Sequence, residues 1–474
     1  MAEGLRRQLK EYSTTVLPVE ELTGRSLNRV LAEVKGKTLL LINASQNPVK
    51  MKSSGVELMR MVADVNPGWS MVYSDYEVDT DGKLSEEHLL DHHEGRVRES
   101  VDYGAVWLIN VDALKKALPL TDGVKQHAMY DLRLRLSEQG ELVHIASRYA
   151  GGAYTVSKTR SGQNVFDYLL QSKESQLELE AIVSAHLKRI GAFLEPGEHY
   201  QPVPYANQSY PLKASIIIPV NNRPEFIGDA IESVLAQSVK EVEAIIVVNG
   251  GPDDPTIPAV KAYQPGGLKY KEGAPPVHLI VVDINNIGFC LNSGLIKAQG
   301  RFYVQLDSDD QLLPDAVEKI MSVYESDPSI GMVIGSYEVW EKKDSGEIIR
   351  MESIPVVTHD EWTEENGRNN LLRINGAGAP RSFYVDLARD IDFLDMNVSP
   401  YARNYGEDYE FVNRMSEHHR IGRVWDPIYK VIRHGGGTDH NIDQSTVDRN
   451  NNAKDHMRLK AIERRRELNE ASNG

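Results

Sequence analysis

The stretch from Arg301 to Asp315, RFYVQLDSDDQLLPD, runs from β-formers into three carboxylates within four residues: Asp307, Asp309 and Asp310. Acids this close repel one another, so either water solvates them or a cation sits between them. Magnesium and manganese draw one or two carboxylates from a protein and take their remaining oxygens from phosphates and water. An EF-hand is excluded, because Gln311 stands where its third acid belongs, Leu312 where glycine belongs, and Pro314 breaks the loop. A divalent ion at a strand end, completed by phosphates and water, fits this pattern, and so does a strand end whose acids are simply solvated.

The elements that must position these acids are legible around them. From Ala214 onward, ASIIIPV, VEAIIVVN, VHLIVVD and RFYVQLD read as strands. PEFIGDAIESVLAQ, FCLNSGLIKAQ and PDAVEKIMSVYES alternate with them at helical spacing, two of these opened by proline. The alternation predicts an α/β fold with a mostly parallel, doubly wound sheet, whose ligands gather at the carboxyl ends of the strands. The polar segments NNRPE, NGGPDDP and DSDD all fall at such ends.

A chain of 474 residues exceeds one ordinary core. The net charge of −16 argues against a surface that grips nucleic acid or anionic lipid. No apolar run approaches the ~20 residues that span a bilayer, and the N-terminus lacks the apolar centre of a signal peptide, so a cytoplasmic protein is expected. The one cysteine, Cys290, excludes an internal disulfide and a cysteine-rich zinc site. His92-His93 and His418-His419 are adjacent rather than one helical turn apart, and are expected to be surface histidines.

The region before residue 171 repeats part of the later chain. GRSLNRVLAEVKGKTLLLINAS, from Gly24, aligns with GFCLNSGLIKAQGRFYVQLDSD, from Gly288, with Asn28 on Asn292, Gly36 on Gly300 and Asn43 on Asp307 at one constant offset. Met71 echoes Met332, and YDLRLRLSE at Tyr130 echoes YEFVNRMSE at Tyr409. In the earlier stretch Asn43-Ala44-Ser45 replaces Asp307-Ser308-Asp309, and Met129 takes the place of Asp408. The residues before Gly24 are too few for a counterpart of 214–287. A degenerate partial copy is expected, binding neither nucleotide nor ion and serving as a scaffold. The expected organisation is therefore 1–171 for the partial copy, 172–212 for a helical and proline-rich linker, 213–440 for the main domain, and 441–474 for a basic helical tail. That tail is expected to be a solvated helix or a subunit contact, which leaves a homo-oligomer open.

Taken together, SIIIPVNNRPEFIGDAIESVLAQ, IIVVNGGPDDPT, NNIGFCLNSGLIKAQGRFYVQLDSDDQLLPD and YGEDYEFVNRM resemble the inverting, nucleotide-sugar-dependent glycosyltransferases of GT-A fold (family 2-like) in order and spacing. The resemblance covers about residues 214–440, and the earlier stretch is then a GT-A-like partial copy. It implies a nucleotide-sugar donor, UDP-sugar favoured, a carbohydrate or other hydroxyl acceptor, and Mn2+ or Mg2+ as cofactor. It puts Pro219, Val220, Asn221 and Glu225 around base and ribose, Asn249 and Asp254 on the next loop, and Asp307 and Ser308 on the nucleotide. Asp307 and Asp309 become the pair that holds the metal, and His434, or alternatively His440, lies near the metal or diphosphate. Asp408 in Gly406-Glu407-Asp408 takes the place of the catalytic base, with Glu407 beside it. Asn286 and Asn292 line the donor pocket, or are a helix cap and a satisfied buried amide; Gly376 to Ala379 either face the substrates or form a tight turn. Where relatives read Asp-Asp-Gly-Ser this chain reads Asn249-Gly250-Gly251-Pro252, and the Asn249 carbonyl can still accept the uracil imide hydrogen. A nucleotidyltransferase and a non-catalytic carbohydrate-binding or assembly protein remain the alternatives, the first lacking a glycine-rich loop after the first strand.

Overall fold

The computed structural model describes residues 15–147, 151–158, 173–343, 345–359, 367–374, 376, 378–393, 405–434 and 444–473. The chain divides into two compact units, Met1–Phe193 and Leu194–Gly474.

The second unit opens with strand β9 (Leu212–Val220), helix α6 (Ile227–Leu235), β10 (Val242–Val248), α7 (Thr256–Lys261), β11 (Val277–Val281), α8 (Ile287–Lys297) and β12 (Gly300–Gln305). The four strands pair in parallel in the order β11-β10-β9-β12. Ile216, Ile217 and Ile218 of β9 are wholly buried although successive side chains point to opposite faces, so both faces of the sheet are covered. Helix α8 lies close on β9 because residue 294 is glycine; a Cβ there would stand 2.6 Å from Ile217 Cγ2. Strand order reverses between β9 and β12, which opens a crevice beyond their carboxyl ends.

Beyond β12 come β13 (Gln311–Leu312), α9 (Ala316–Ser326), β14 (Ile330–Lys342), β15 (Ile348–Arg350), α10 (Gly367–Asn370), β16 (Arg381–Tyr384), α11 (Val385–Ile391), α12 (Glu407–His418), β17 (Arg420–Arg433) and α13 (Gln444–Asn473). The sheet continues as β12-β16-β14-β17-β13 and becomes mixed: β16 is antiparallel to both β12 and β14, and β14 is parallel to β17. The expected parallel sheet thus holds for its first four strands only. β16 follows β14 in the chain and returns in the opposite direction between β12 and β14, a topology that local periodicity does not carry.

In the first unit the elements are α1 (Gly24–Leu31), β1 (Thr38–Ile42), β2 (Val49–Met51), α2 (Gly55–Val65), β3 (Trp69–Ser74), β4 (Tyr76–Thr80), β5 (Lys83–Glu87), β6 (Val106–Asn110), α3 (Val111–Ala117), α4 (Ala128–Ser137), β7 (Glu141–Ile145), β8 (Tyr154–Lys158) and α5 (Lys173–Arg189). Its sheets are ordered β1-β6-β3-β7 and β2-β8-β4-β5. The pairing senses repeat those of the second unit strand for strand: β1-β6 and β6-β3 are antiparallel like β12-β16 and β16-β14, and β3-β7 is parallel like β14-β17. Registers agree as well, since Met71 faces Ile109 and Leu142 where Met332 faces Phe383 and Ile421.

Two expected boundaries change. Much of the stretch expected as a linker is α5, whose Leu179 and Ile182 lie in the apolar core of the first unit. The Glu178 carboxylate accepts the backbone N–H groups of Lys125, Gln126 and His127 at 2.8–2.9 Å, capping the entry to α4. The tail is no solvated helix either: Arg458 and Arg465 of α13 are fully buried. Arg458 lies 4.7 Å from the Tyr409 ring centre and donates to the Leu372 and Ile374 carbonyls, while Arg465 donates to Arg368 O. Long cationic side chains that find carbonyls, carboxylates and ring faces can be buried, and composition alone does not reveal this.

Candidate active site

Three loops meet at the carboxyl ends of β9, β10 and β12. The first two are tied by Asp254, a buried carboxylate that accepts Asn222 N–H at 2.9 Å and Thr256 N–H at 2.8 Å. Although burial opposes it, these bonds and the Gly250 N–H hold Asp254 below the usual carboxylate range. Residue 250 must be glycine here, because a Cβ would stand 2.2 Å from Asp254 Oδ2. Pro219 and Val220 close β9, Val220 buried; Asn221 and Glu225 are exposed on the loop above. Asn249 is buried: its N–H donates to Val220 O at 2.9 Å, and its amide NH2 lies 3.3 Å from Asn285 Oδ1 and from Cys290 Sγ. Its Oδ1 is a buried acceptor with no partner among the described residues.

The acids of the β12 loop have three different surroundings. Asp307 is accessible to solvent, yet the cleft walls close in on it. Desolvation there, together with the charges of Asp309 and Asp408, raises its carboxyl above the usual range against the pull of Arg381. Asp309 is ion-paired with Arg223, and His434 Nε2 lies 2.9 Å from the same oxygen. Asp310 is buried and accepts Ile432 N–H at 2.7 Å, which fastens β17; burial and Asp307 push its carboxyl well up. Ser308 is buried beside them. His434 packs on Phe226 with ring centres 4.2 Å apart, and Lys342 Nζ lies 4.4 Å from the Phe226 ring centre.

On the opposite wall, Gly406 adopts φ +87°, a left-handed turn from which α12 starts with Glu407 and Asp408. Arg381 Nη1 lies 3.1 Å from Asp408 Oδ2 and donates to Gly378 O at 2.7 Å. Burial alone would raise Asp408; Arg381, then Lys454, bring it below the usual range, so it is ionised at neutral pH. Burial and Asp408 push Glu407 up to about 7.

The structure therefore brings Asp307, Asp309, Asp408, Glu407 and His434 to one cleft. Asn286 caps α8, accepting Phe289 N–H at 2.9 Å, and Asn292 bonds Asp392 and the N–H of Phe393. Asn28 does the same in the first unit, donating to Leu120 O and accepting Leu120 N–H, which favours a structural amide at both places. Gly378, at φ +81°, packs on His359 in a turn; Ala377 and His440 lie outside the described residues. The adjacent histidines are not surface residues: His92 bonds the Tyr103 hydroxyl at 2.6 Å, and His419 is buried with Nδ1 3.0 Å from Gln201 O. Sequence reasoning missed Arg381, Arg223, Phe226 and Lys454. Arg381 follows Pro380 in a stretch without periodicity, and Lys454 lies on the helix expected to be solvated.

Among the described residues, no three His, Cys, Asp or Glu side chains are arranged to hold a metal ion, and His434 Nε2 lies against Asp309. The carboxylates of Asp307 and Asp309 still fit what magnesium or manganese takes from a protein when phosphates supply the rest. No described helix is long and apolar enough to cross a membrane.

Residues 215–374 match the family model described as glycosyl transferase family 2. An uncharacterized glycosyltransferase of Haemophilus influenzae (strain ATCC 51907 / DSM 11121 / KW20 / Rd) is 27% identical over 236 residues, 47% of this chain and 66% of the relative. A chondroitin synthase of Escherichia coli is 30% identical over 175 residues, 36% of this chain and 21% of the relative. The chain thus spans less than two thirds of either relative. Among solved structures, S. aureus TarS 1-349 in complex with UDP is 20% identical with a TM-score of 0.35, covering 47% of this chain and 61% of that one.

Proposed function

We propose, from the premise that residues 215–374 form a family 2 glycosyltransferase domain on a GT-A sheet, that the chain moves a sugar from a nucleoside-diphosphate donor to a hydroxyl acceptor with inversion, in glycan or polysaccharide synthesis in the cytoplasm. The observation that carries this reading is the convergence of an ionised Asp408 with the carboxylates of Asp307 and Asp309 across one cleft at the sheet's switch point. The donor base occupies the β9 and β10 loops, where the unpartnered Asn249 Oδ1 would accept the imide N–H of uracil; uridine is therefore the proposed base. Asp307 and Asp309 would hold a divalent ion, which neutralises charge on the departing diphosphate when bound. Arg223 adds a fixed positive charge beside them. Asp408 takes the proton of the acceptor hydroxyl as its oxygen bonds to the anomeric carbon and the bond to the phosphate oxygen breaks. Attack from the face opposite the leaving group inverts the carbon, and no covalent sugar intermediate forms. The first unit, which lacks counterparts of these acids, is proposed to be a non-catalytic scaffold.

Nucleoside diphosphate release from a panel of sugar nucleotides with manganese tests the reading. Asp309→Ala is expected to weaken metal-dependent donor binding by about tenfold or more, the scale of one lost charged contact. Asp408→Asn is expected to leave donor binding intact and lower kcat by about 100-fold or more. A nucleotidyltransferase would instead use a sugar phosphate and a triphosphate, and a carbohydrate-binding protein would release nothing.

A further inference from the structure

We propose that Arg381 is the positioning residue for the transfer: its guanidinium pins the Asp408 carboxylate in place and separates it from Asp307. The inference rests on the proposed glycosyltransferase activity. Arg381 is the first residue of β16, which pairs with β12 through Val304 and Ser382 and with β14 through Ile334 and Arg381 itself. One step beyond the Val304-Ser382 pair, it stands level with Gln305 at the carboxyl end of β12, two residues before Asp307. Its side chain is only 13% exposed and that of Asp408 19%, so the ion pair is largely out of water. Asp307, Asp309, Glu407 and Asp408 lie near one another, and the Arg381 charge acts on both Asp307 and Asp408, against their mutual repulsion. A largely buried acid deprived of the cation paired with it changes protonation state or moves, and either would disable a base. Arg381 Nη1 donates to Gly378 O, so the turn before β16 holds the guanidinium where it ion-pairs with Asp408 at 3.1 Å.

The first unit supplies an internal comparison. Its β6 pairs with β1 and β3 as β16 pairs with β12 and β14, and the register that sets Ile109 against Phe383 sets Trp107 against Arg381. Trp107 is buried in the apolar core and donates its indole N–H to Tyr103 O at 2.9 Å. Asn43, Ser45 and Met129 stand there in place of Asp307, Asp309 and Asp408. This sheet closes with an aromatic ring at that position, so the fold does not demand an arginine. The charge occurs where the acids occur.

The experiment compares full-length Arg381→Met, Arg381→Ala, Arg381→Lys, Asp408→Asn and the Arg381→Met/Asp408→Asn double variant in donor affinity and turnover. Arg381→Met should lower kcat by about 100-fold, the scale of a disabled general base, with donor KM within about threefold of the parent. Arg381→Lys should recover part of that loss, and guanidinium added below denaturing concentration should raise turnover of Arg381→Ala but not of Asp408→Asn. The double variant, which no longer carries the Asp408 charge that Arg381 pairs with, should be no slower than Asp408→Asn alone. Unchanged kcat in a folded Arg381→Met, donor affinity falling in step with kcat, or a double variant slower than Asp408→Asn would each overturn the assignment. Absence of turnover by the parent with every sugar nucleotide would instead sink the functional reading, and this inference with it.

Discussion

Glu407 sits one residue before Asp408 on the first turn of α12, and Arg381 and Lys454 act on both. Glu407 nevertheless titrates at about 7, because burial and the ionised neighbour outweigh the two cations. An acid whose folded value lies above its unfolded one, ordinarily about 4.3, stabilises the fold fully below that value and loses the contribution as pH rises through 7. Glu407→Gln should therefore melt like the parent at pH 4 and a few degrees higher at pH 8, in scanning calorimetry of matched buffers. Sequence reasoning reached Asp307 and Asp309 because they close a strand, and reached Asp408 and His434 through the family resemblance. It missed Arg381 because a lone arginine after a proline carries no pattern; only the return of β16 into the sheet places it by the acids. His434 and Asp310 were legible as polar residues near the cluster, but their duties, holding Asp309 and fastening β17, depend on hydrogen bonds between distant segments.

The longer strands and helices from Ala214 to Ser326 were legible to within a few residues, since β-branched runs and amphipathic spacing are local signals, while the short α7 and β13 were not. The RFYVQLD run, for example, becomes β12 at Gly300–Gln305, and PDAVEKIMSVYES becomes α9 at Ala316–Ser326. What local signals do not carry is docking. Helix α5 and helix α13 looked polar enough to be left in solvent, yet one contributes leucine and isoleucine to a core and the other buries arginines against carbonyls. Close approach is similarly hidden until glycine is seen against its neighbour, as for Gly294 over Ile217. Gly294→Val should cost about 1–3 kcal/mol by overpacking, read as a lowered urea midpoint, while Ile296→Ala on the exposed face of the same helix should leave the midpoint nearly unchanged.

Each unit closes its own sheets over its own apolar clusters, one set built on Leu27, Met71 and Leu132 with a neighbour on Val72 and Tyr154, the other on Ile217, Val304 and Met332. The recurring pairing pattern was foreshadowed by the repeat between Gly24 and Gly288, but the position of the division, after Phe193, was not. Expressed separately, residues 194–474 are expected to bind UDP with manganese as tightly as the whole chain is expected to, and residues 15–193 to bind none; calorimetric titration of the whole chain and both pieces decides it. Two separate cores also change what heat does to the chain. A single melting temperature would belong to neither half, because the trace is the sum of two cooperative events. Nucleotide would shift one event upward by mass action and leave the other where it was, so a thermal-shift screen that reads only the first transition risks passing over a true ligand.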